Sequence, residues 1–277
     1  MTDVNLQIEH IHCNLCGQDR WKKWCEKDDI QIVRCLNCGL IYANPRPNRE
    51  SLTNYYSKAY FDEGEYLEDV KRQKMYEFEI AKMMNIVEAK GRFLDVGCAM
   101  GKFLNVLPDT FEKFGIEFSN AAVEQARKRF GLNVRCGQLS EVGIEENFYD
   151  IIQMRGVLEH LPDPSKEVAC VHSALKKDGW FILHQTPNIS SLSGRLYKER
   201  FNQVFPGEHL YYFSVKTIKK LLVKYGFRVK KINFPYFNTP YANPVKDTIL
   251  FVKNFFNGKE SPPFYGNMIA VYSRKAH

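Results

Sequence analysis

Apolar and polar positions follow two alternating patterns between residues 93 and 183. Short apolar runs such as Phe93-Leu94 are typical of buried parallel strands, and amphipathic stretches such as residues 102–107 are typical of helices. Strand and helix patterns that alternate in this way predict an α/β domain, with a parallel sheet covered by helices on both faces. Ligands of such sheets bind at the carboxyl ends of the strands.

The segments on either side of this region have their own patterns. Apolar residues at helical spacing predict a helix over about residues 66–89 that covers one sheet face. Further on, the pattern predicts a helix at 214–225 and strands at 227–234 and 268–272. The insertion between these strands, residues 235–263, is longer than a hairpin needs. Its amphipathic stretch suits a lid, a subunit contact, an interfacial anchor or a helix packed on the core.

A turn with two glycines follows the first strand, in the order Asp95, Gly97, Cys98, Ala99, Gly101. Glycine lets the backbone turn sharply and approach a ligand that a Cβ atom would block. Dinucleotide-binding folds place three glycines, G-x-G-x-x-G, around a pyrophosphate. Because Ala99 takes the place of one glycine, the turn argues against a pyrophosphate ligand.

An acidic residue, Glu117, comes at the end of the next short strand. Ser119 then starts a helix pattern. An acid at this position suits the two hydroxyls of a ribose, as it does in dinucleotide folds. A glycine turn or a strand-end acid alone is ordinary loop chemistry, but the two together indicate a site for a nucleoside-containing ligand.

With these motifs, residues 75–274 resemble the class I S-adenosylmethionine-dependent methyltransferases, particularly the branch acting on sugars and small metabolites. Four further segments support the resemblance: residues 137–139, 148–164, 178–188 and 209–214. It implies a Rossmann-like, seven-stranded sheet with helices on both faces. It also implies S-adenosylmethionine as cofactor, held by Asp95, Gly97, Cys98, Gly101, Glu117, Phe118, Gln138, Leu139 and Met154.

Two positions depart from the family pattern. Ala99 replaces a glycine, and we expect its methyl group to be tolerated beside the cofactor. Gln138 replaces the usual acid, but its side-chain carbonyl can still accept a hydrogen bond from an adenine amino group.

Four cysteines near the amino terminus form two Cys-x-x-Cys pairs, each followed by a glycine. Two such pairs fit a tetrahedral, structural Zn²⁺ site, whereas a disulfide does not fit a chain without a secretory signal. The predicted ligands are Cys13, Cys16, Cys35 and Cys38. We therefore expect a zinc ribbon at 1–48, an aromatic linker and covering helix at 49–90, and the methyltransferase domain at 91–277. The proline-rich stretch at 44–48 is expected to be a stiff linker.

The chain has 277 residues and a formal net charge of +7. This charge favours anionic partners such as nucleotide-linked sugars, phosphorylated glycans or nucleic acid. The basic residues are scattered over predicted helices, and the ribbon carries both signs of charge, so nucleic acid is not favoured. With neither a signal peptide nor an apolar stretch that could span a membrane, we expect a cytoplasmic protein; its oligomeric state stays open.

Two histidines are candidates for the base that takes a proton from the acceptor. His209 is the preferred candidate because it precedes two tyrosines in a segment that lines acceptor sites in the family, and His160, in the loop after the fourth strand, is the second. Each has an alternative, His160 as a cap of its own loop and His209 as a core residue. Tyr55, Tyr56 and Tyr60 could close over a sugar or simply pack between domains.

These observations predict methyl transfer from S-adenosylmethionine to a hydroxyl of a sugar, nucleotide-linked or within a surface glycan. Methylation of a sugar carbon is an alternative because it uses the same parts. A nucleic-acid-modifying or nucleic-acid-binding zinc protein is another, although no Asn/Asp-Pro-Pro-aromatic signature follows the fourth strand. A scaffold that binds the cofactor without turnover is a third alternative.

Overall fold

The computed structural model of the chain describes residues 7–48, 50–52 and 70–276. The predicted roles of Tyr55, Tyr56 and Tyr60, and the beginning of the predicted helix at 66–89, lie outside these residues.

The amino-terminal region forms short strands around the cysteine pairs. In chain order these are β1 (Ile8–Glu9), β2 (Trp21–Lys27), β3 (Ile30–Cys35), β4 (Ile41–Ala43) and β5 (Arg46–Pro47). β5 pairs with β1 in an antiparallel ladder. The predicted linker at 44–48 is therefore partly ordered by its own strand pairing.

The remaining chain alternates between helices and strands as the pattern predicts. Its elements are α1 (Val70–Met84), β6 (Gly91–Val96), α2 (Lys102–Val106), β7 (Phe111–Glu117), α3 (Asn120–Phe130), β8 (Asn133–Cys136), β9 (Tyr149–Arg155), α4 (Pro164–Ala174), β10 (Leu175–Pro187), α5 (Leu192–Tyr197), a 3₁₀ turn (Lys198–Arg200), β11 (Tyr211–Tyr212), α6 (Val215–Lys224), β12 (Phe227–Asn233), α7 (Pro244–Phe256) and β13 (Met268–Lys275).

Seven strands form one sheet in the order β12-β13-β10-β9-β6-β7-β8. β6 to β10 run parallel, and β13 pairs antiparallel with both β10 and β12. Buried residues form a core on each face of the sheet, one around Leu94 and Ile152 and the other around Phe93 and Ile151. This is the predicted seven-stranded α/β architecture with helices on both faces, and it is confirmed.

Two elements, α1 and β13, end at residues other than those that the sequence pattern predicts. α1 ends at Met84, although Val87 is still buried because a turn bonded to the Met83 carbonyl carries it into the core. β13 runs to Lys275, three residues beyond the predicted end, since it pairs with both neighbours along its length. Among the described residues, the helices are too short or too polar to cross a membrane.

A second sheet joins the amino-terminal region to the main domain. Its order is β11-β4-β3-β2, so that β11, from the far end of the chain, pairs with β4. Cys13, Cys35 and Tyr42 belong to the same buried cluster as Leu94 of β6. The ribbon and the main domain thus share both a sheet and a hydrophobic core.

Candidate functional site

A cavity of about 280 Å³ opens at the carboxyl ends of β6, β7 and β9. This is the sheet edge where the sequence places the cofactor site. Of the predicted cofactor residues, those that line the cavity are Asp95, Gly97, Cys98, Glu117, Phe118, Gln138 and Leu139, and His160 lines it as well.

The turn after β6 has left-handed backbone at three positions. φ is +75° at Gly97, +48° at Ala99 and +76° at Gly101. A Cβ atom on Gly97 would lie 2.4 Å from Cγ2 of Val157, and one on Gly101 would lie 2.4 Å from Cδ1 of Leu132. Both glycines are therefore required by sterics. Ala99 has the same backbone conformation but carries a methyl group, so the departure from the family pattern introduces local strain.

Glu117 ties this turn to the start of α3. Its Oε2 accepts a hydrogen bond from the Ala99 amide at 2.9 Å, and its Oε1 accepts one from the Ser119 amide at 2.9 Å. Burial raises the pKa of this carboxyl, although the backbone donors oppose the shift. A carboxylate has about four acceptor positions, so two backbone bonds leave capacity for ribose hydroxyls.

Asp95 lies deeper, at the end of β6. Its Oδ1 accepts a hydrogen bond from Nε2 of Gln153 at 3.1 Å, and the residue is 3% exposed. Burial raises the pKa of Asp95 to about 7. A bound cationic group nearby would favour the ionised form of this carboxyl, since an opposite charge lowers a carboxyl pKa.

The other predicted cofactor residues occupy different surroundings. The Cys98 side chain packs against Gly115 of β7, where an added Cβ would lie 2.7 Å from its sulfur. Gly101 is the N-cap of α2, and Met154 is fully buried in the core. Phe118, Gln138 and Leu139 line the cavity, and the ligand roles of all these residues stay predictions.

The two candidate histidines meet beside Glu159. The rings of His160 and His209 are perpendicular, with centroids 4.6 Å apart. One nitrogen of each ring and a carboxylate oxygen of Glu159 lie within 4.8 Å of one another. His160 lines the cavity, whereas His209 is 7% exposed behind it. The structure thus brings both predicted bases into one cluster, with His160 nearer to any ligand.

Backbone carbonyls orient both imidazoles. Nδ1 of His160 lies 3.1 Å from the Glu208 carbonyl, and Nδ1 of His209 lies 2.8 Å from the Gln203 carbonyl. Donation from Nδ1–H leaves the lone pair of a neutral ring on Nε2. Burial, followed by the neighbouring His209, lowers the pKa of His160 to about 3, and burial also lowers the pKa of His209. Both rings are therefore neutral at pH 7.

Glu159 is the member of this cluster whose role the sequence did not reveal. It is 3% exposed, and its Oε2 has no hydrogen-bond partner among the described residues. Burial raises its pKa to about 8. Its main-chain carbonyl accepts hydrogen bonds from Leu210 and Tyr211, and this links the loop after β9 to the segment that carries His209.

A buried ion pair lies at the same sheet edge and was also missed. Glu79 of α1 contacts Nε of Arg155 at 2.6 Å and accepts a hydrogen bond from Gln185 at 2.6 Å. The Arg155 guanidinium lies 4.7 Å from the centre of the Tyr76 ring. Arg155 and Tyr76 both line the cavity. The signal in the sequence was a single acid within the apolar stripe of the predicted helix.

The four cysteines of the ribbon converge as their spacing predicts. Sγ of Cys13 lies 3.4 Å from Sγ of Cys38, Sγ of Cys16 lies 3.5 Å from Sγ of Cys35, and all four lie within 4.8 Å of one another. In a tetrahedral site with Zn–S bonds of about 2.3 Å, the sulfurs are about 3.8 Å apart. The donor set and its spacing fit Zn²⁺ with no open position.

Polar contacts join the ribbon to the loop after β9. Arg46 is 6% exposed and donates to the Pro162 carbonyl at 3.0 Å and to the Tyr211 hydroxyl at 2.8 Å. Asn14 donates to Asp163 at 2.8 Å, and its own oxygens accept from Ser165. The ribbon therefore supports the loop that carries Glu159 and His160.

Comparison with known proteins decides the family. The family model described as "Methyltransferase domain" matches residues 66–232. The chain belongs to this methyltransferase family. The resemblance to class I methyltransferases is thereby confirmed at the level of family and fold.

Individual relatives of this methyltransferase are more distant. It is 33% identical to the ubiquinone biosynthesis O-methyltransferase of Pasteurella multocida, over 36% of this chain and 48% of that protein. The chain spans less than half the length of the curated relatives it matches.

Two solved structures show the same fold. The magnesium protoporphyrin IX methyltransferase of Synechocystis, with bound SAH, superposes with a TM-score of 0.57 at 16% identity, covering 83% of this chain and all (100%) of that one. An S-adenosylmethionine-dependent methyltransferase of Thermotoga maritima gives a TM-score of 0.55 at 23% identity, covering 74% and 91%.

Proposed function

We propose that this chain transfers a methyl group from S-adenosylmethionine to a hydroxyl of a sugar, either nucleotide-linked or within a surface glycan. The observation that carries the proposal is that His160 borders the same cavity as Gly97 and Glu117. A proton acceptor and a nucleoside site in one cavity of this volume are what methyl transfer to an alcohol requires.

The residues of the cavity fit the cofactor. Glu117 retains acceptor capacity for the ribose hydroxyls, the side-chain carbonyl of Gln138 suits the adenine amino group, and Asp95 lies beneath the turn where the amino-acid part would lie. The bound cofactor supplies an electrophilic methyl group. The protein must then hold the acceptor in line and accept its proton.

His160 is proposed as the proton acceptor, through Nε2. The Glu208 carbonyl fixes the orientation of the His160 ring. Because the pKa of His160 is lowered to about 3, the ring is neutral at physiological pH. Such a ring is a weak base unless the charge it gains is stabilised. Glu159 supplies that stabilisation in its ionised form, since a carboxylate beside the ring favours the imidazolium; with a pKa of about 8, it first releases its proton to solvent, and His160 then accepts the proton of the acceptor hydroxyl. His209 is proposed to position His160 through the edge-to-face contact between the two rings.

Oxygen is favoured over carbon as the methylated atom because the matched relative from Pasteurella is an O-methyltransferase. The choice of a sugar as acceptor rests on the four-cysteine ribbon, the cofactor motifs and the segment at 209–214, which together resemble the sugar-modifying branch. The four-cysteine cluster is proposed to hold a structural Zn²⁺ that stabilises the ribbon.

The test is incubation of the zinc-loaded protein with S-adenosylmethionine labelled in the methyl group and a panel of nucleotide sugars, glycans and RNA. We expect label on a sugar oxygen, identified by mass spectrometry. His160→Gln should abolish transfer while calorimetry shows unchanged cofactor affinity. Label on a sugar carbon or on RNA, or cofactor binding with no transfer to any acceptor, would contradict the proposal.

A further inference from the structure

Helix α7 is fixed to the protein along its inner face. Asp247 is buried and accepts hydrogen bonds from the Tyr236 hydroxyl at 2.7 Å and the Asn243 amide at 2.9 Å. The Phe251 ring, 8% exposed, lies 4.5 Å from the Phe264 ring and 5.2 Å from the Tyr197 ring. Since these contacts hold the helix on the core, its opposite side is held outward.

That opposite side is apolar. Val245 is 74% exposed, Ile249 62%, Val252 53% and Phe256 80%. Spacings of four, three and four residues place these side chains along one stripe of a helix. Of the fifteen large apolar side chains that are exposed among the described residues, seven lie between Phe237 and Tyr265. Such a concentration in one insertion marks an interaction surface, because scattered single residues are the normal case.

The charges beside the stripe are positive. Lys246 and Lys253 are exposed and follow Val245 and Val252 directly along the chain. The acid of α7, Asp247, is buried on the inner face. We call Val245, Lys246, Ile249, Val252, Lys253 and Phe256 the outer face of α7. It combines aliphatic and aromatic groups with cations and carries no anion.

The neighbouring helix α5 repeats this combination. Its Tyr197 packs on Phe251, and the Tyr197 hydroxyl donates to the Phe251 carbonyl. Leu192 and Leu196 are 51% and 44% exposed, and Arg195 between them is exposed as well. Two adjacent helices therefore present apolar and basic side chains to the solvent.

We propose that the outer face of α7 binds the surface of an anionic lipid bilayer, with the helix lying in the plane of the interface. The aliphatic side chains and Phe256 would enter the boundary of the acyl chains, and the lysines would reach lipid phosphates. A second copy of the chain suits this face less well, because two-fold pairing of α7 would bring Lys246 and Lys253 against the same lysines of the partner. Binding at a bilayer would place the methyltransferase near lipid-linked acceptors.

Vesicle sedimentation tests the proposal with the whole 277-residue chain, loaded with zinc. We expect it to sediment with vesicles that contain about a quarter phosphatidylglycerol in phosphatidylcholine, less with pure phosphatidylcholine, and less as salt is raised. The double variant Ile249→Ser/Val252→Ser should bind at least about tenfold more weakly, because two apolar side chains leave the acyl boundary. Lys246→Glu/Lys253→Glu should lose the preference for anionic vesicles.

Val223→Ser is the matched control, since Val223 is 66% exposed on the separate helix α6 and should not change vesicle binding. Calorimetry with S-adenosylmethionine should give the same affinity for all variants, which separates this proposal from the methyl-transfer function. No binding of the wild type to anionic vesicles would overturn the proposal. An equal loss in Val223→Ser would do so too, as would a dimer in sedimentation velocity that Ile249→Ser/Val252→Ser dissociates.

Discussion

Ala99 is the residue where sequence and backbone are in conflict. Its φ of +48° lies in a region that costs a non-glycine residue about 1–2 kcal/mol. The Ala99 amide nevertheless donates to Glu117 at 2.9 Å, so the strained conformation is held by the carboxylate proposed to bind the ribose. Strain at this position is therefore coupled to the cofactor site.

We predict that Ala99→Gly raises the free energy of unfolding by about 0.5–1 kcal/mol, because relief of strain outweighs the added freedom of the unfolded chain. Gly101→Ala should lower it by about 2 kcal/mol or more, since φ is +76° and the new Cβ would meet Leu132. Urea denaturation of both variants measures the two effects. A loss of stability in Ala99→Gly would show that the alanine conformation is not strained.

Glu117 has two roles, one in the free protein and one proposed for the complex. We predict that Glu117→Ala weakens S-adenosylmethionine binding about 10- to 100-fold, as expected for the loss of charge-assisted hydrogen bonds. Isothermal titration calorimetry measures this. Glu112→Ala, on the same strand but exposed and paired with Arg92, is the control and should bind normally. An unchanged affinity of Glu117→Ala for S-adenosylmethionine would contradict the proposed contact between Glu117 and the ribose.

Because burial raises the pKa of Glu159, the stability of the protein should fall as the pH rises. Its pKa rises from 4.5 to about 8 on folding, so the native state binds more protons than the unfolded state between these values. The contribution of Glu159 to the free energy of unfolding is therefore fully present below pH 4.5 and is lost as the pH rises to about 8.

We therefore predict that the free energy of unfolding of Glu159→Gln falls less between pH 5 and pH 8 than that of the wild type. Urea titrations at several pH values, with zinc held constant, test this. Glu145→Gln changes an exposed residue and should follow the wild-type profile. Parallel profiles for wild type and Glu159→Gln would show that Glu159 is ionised in the native state.

At the scale of elements, one buried carboxylate, that of Glu79, connects α1 to Arg155, which lines the cavity. Glu79 is 4% exposed, and its carboxylate is the partner that holds Arg155 at the end of β9. Tyr76 of the same helix packs on that guanidinium and on Phe103 of α2. The position of α1 relative to the sheet therefore depends on an ion pair as well as on apolar packing.

We predict that Glu79→Gln lowers the free energy of unfolding by about 2–3 kcal/mol, because it removes the negative charge that Glu79 places beside the Arg155 guanidinium in a mostly buried site. Glu77→Gln, on the exposed side of the same helix, should change it by less than about 0.5 kcal/mol. Thermal and urea unfolding give both values. Equal effects of the two variants would mean that the ion pair contributes nothing to the docking of α1.

At the scale of the whole molecule, strand pairing and hydrogen bonds connect the ribbon to the loops that carry Glu159, His160 and His209. β11 begins two residues after His209 and pairs with β4 of the ribbon. The amides of Leu210 and Tyr211 donate hydrogen bonds to the Glu159 carbonyl. Lys220 and Lys224 of α6 also donate to the Cys38 and Leu15 carbonyls at 2.9 Å. Loss of order in the ribbon should reach the cluster proposed to be catalytic along this path.

We predict that Cys16→Ser loses bound zinc, lowers the melting temperature by roughly 10 °C or more, and reduces methyl transfer, because metal binding is part of the folding free energy. Elemental analysis, calorimetry and the methylation assay measure the three effects. Cys170→Ser is the control, since Cys170 lies on α4 outside the cluster. Full methyl-transfer activity in zinc-free Cys16→Ser would show that the proposed catalytic site does not depend on an ordered ribbon.

The sequence predicted the parts of the site that depend on near neighbours. Asp95, Gly97 and Glu117 lie on two consecutive strands, so an apolar run with a glycine turn places them without knowledge of the fold. It did not predict that Glu79 pairs with Arg155 of the cavity, because these two residues are 76 positions apart in the sequence. Nor did it identify Glu159 as buried and lacking a hydrogen bond at Oε2, since a loop carboxylate is ordinarily solvated.

By itself the sequence determined the alternation of strands and helices, the glycine turn after β6 and the four-thiol donor set, because each depends on spacings within a few residues or a short stretch of chain. The tertiary structure alone decided that β11 completes the ribbon sheet, that His160 and His209 meet at Glu159, and that α7 exposes an apolar face. These depend on which distant segments pack together, and that is set by the burial of the whole chain.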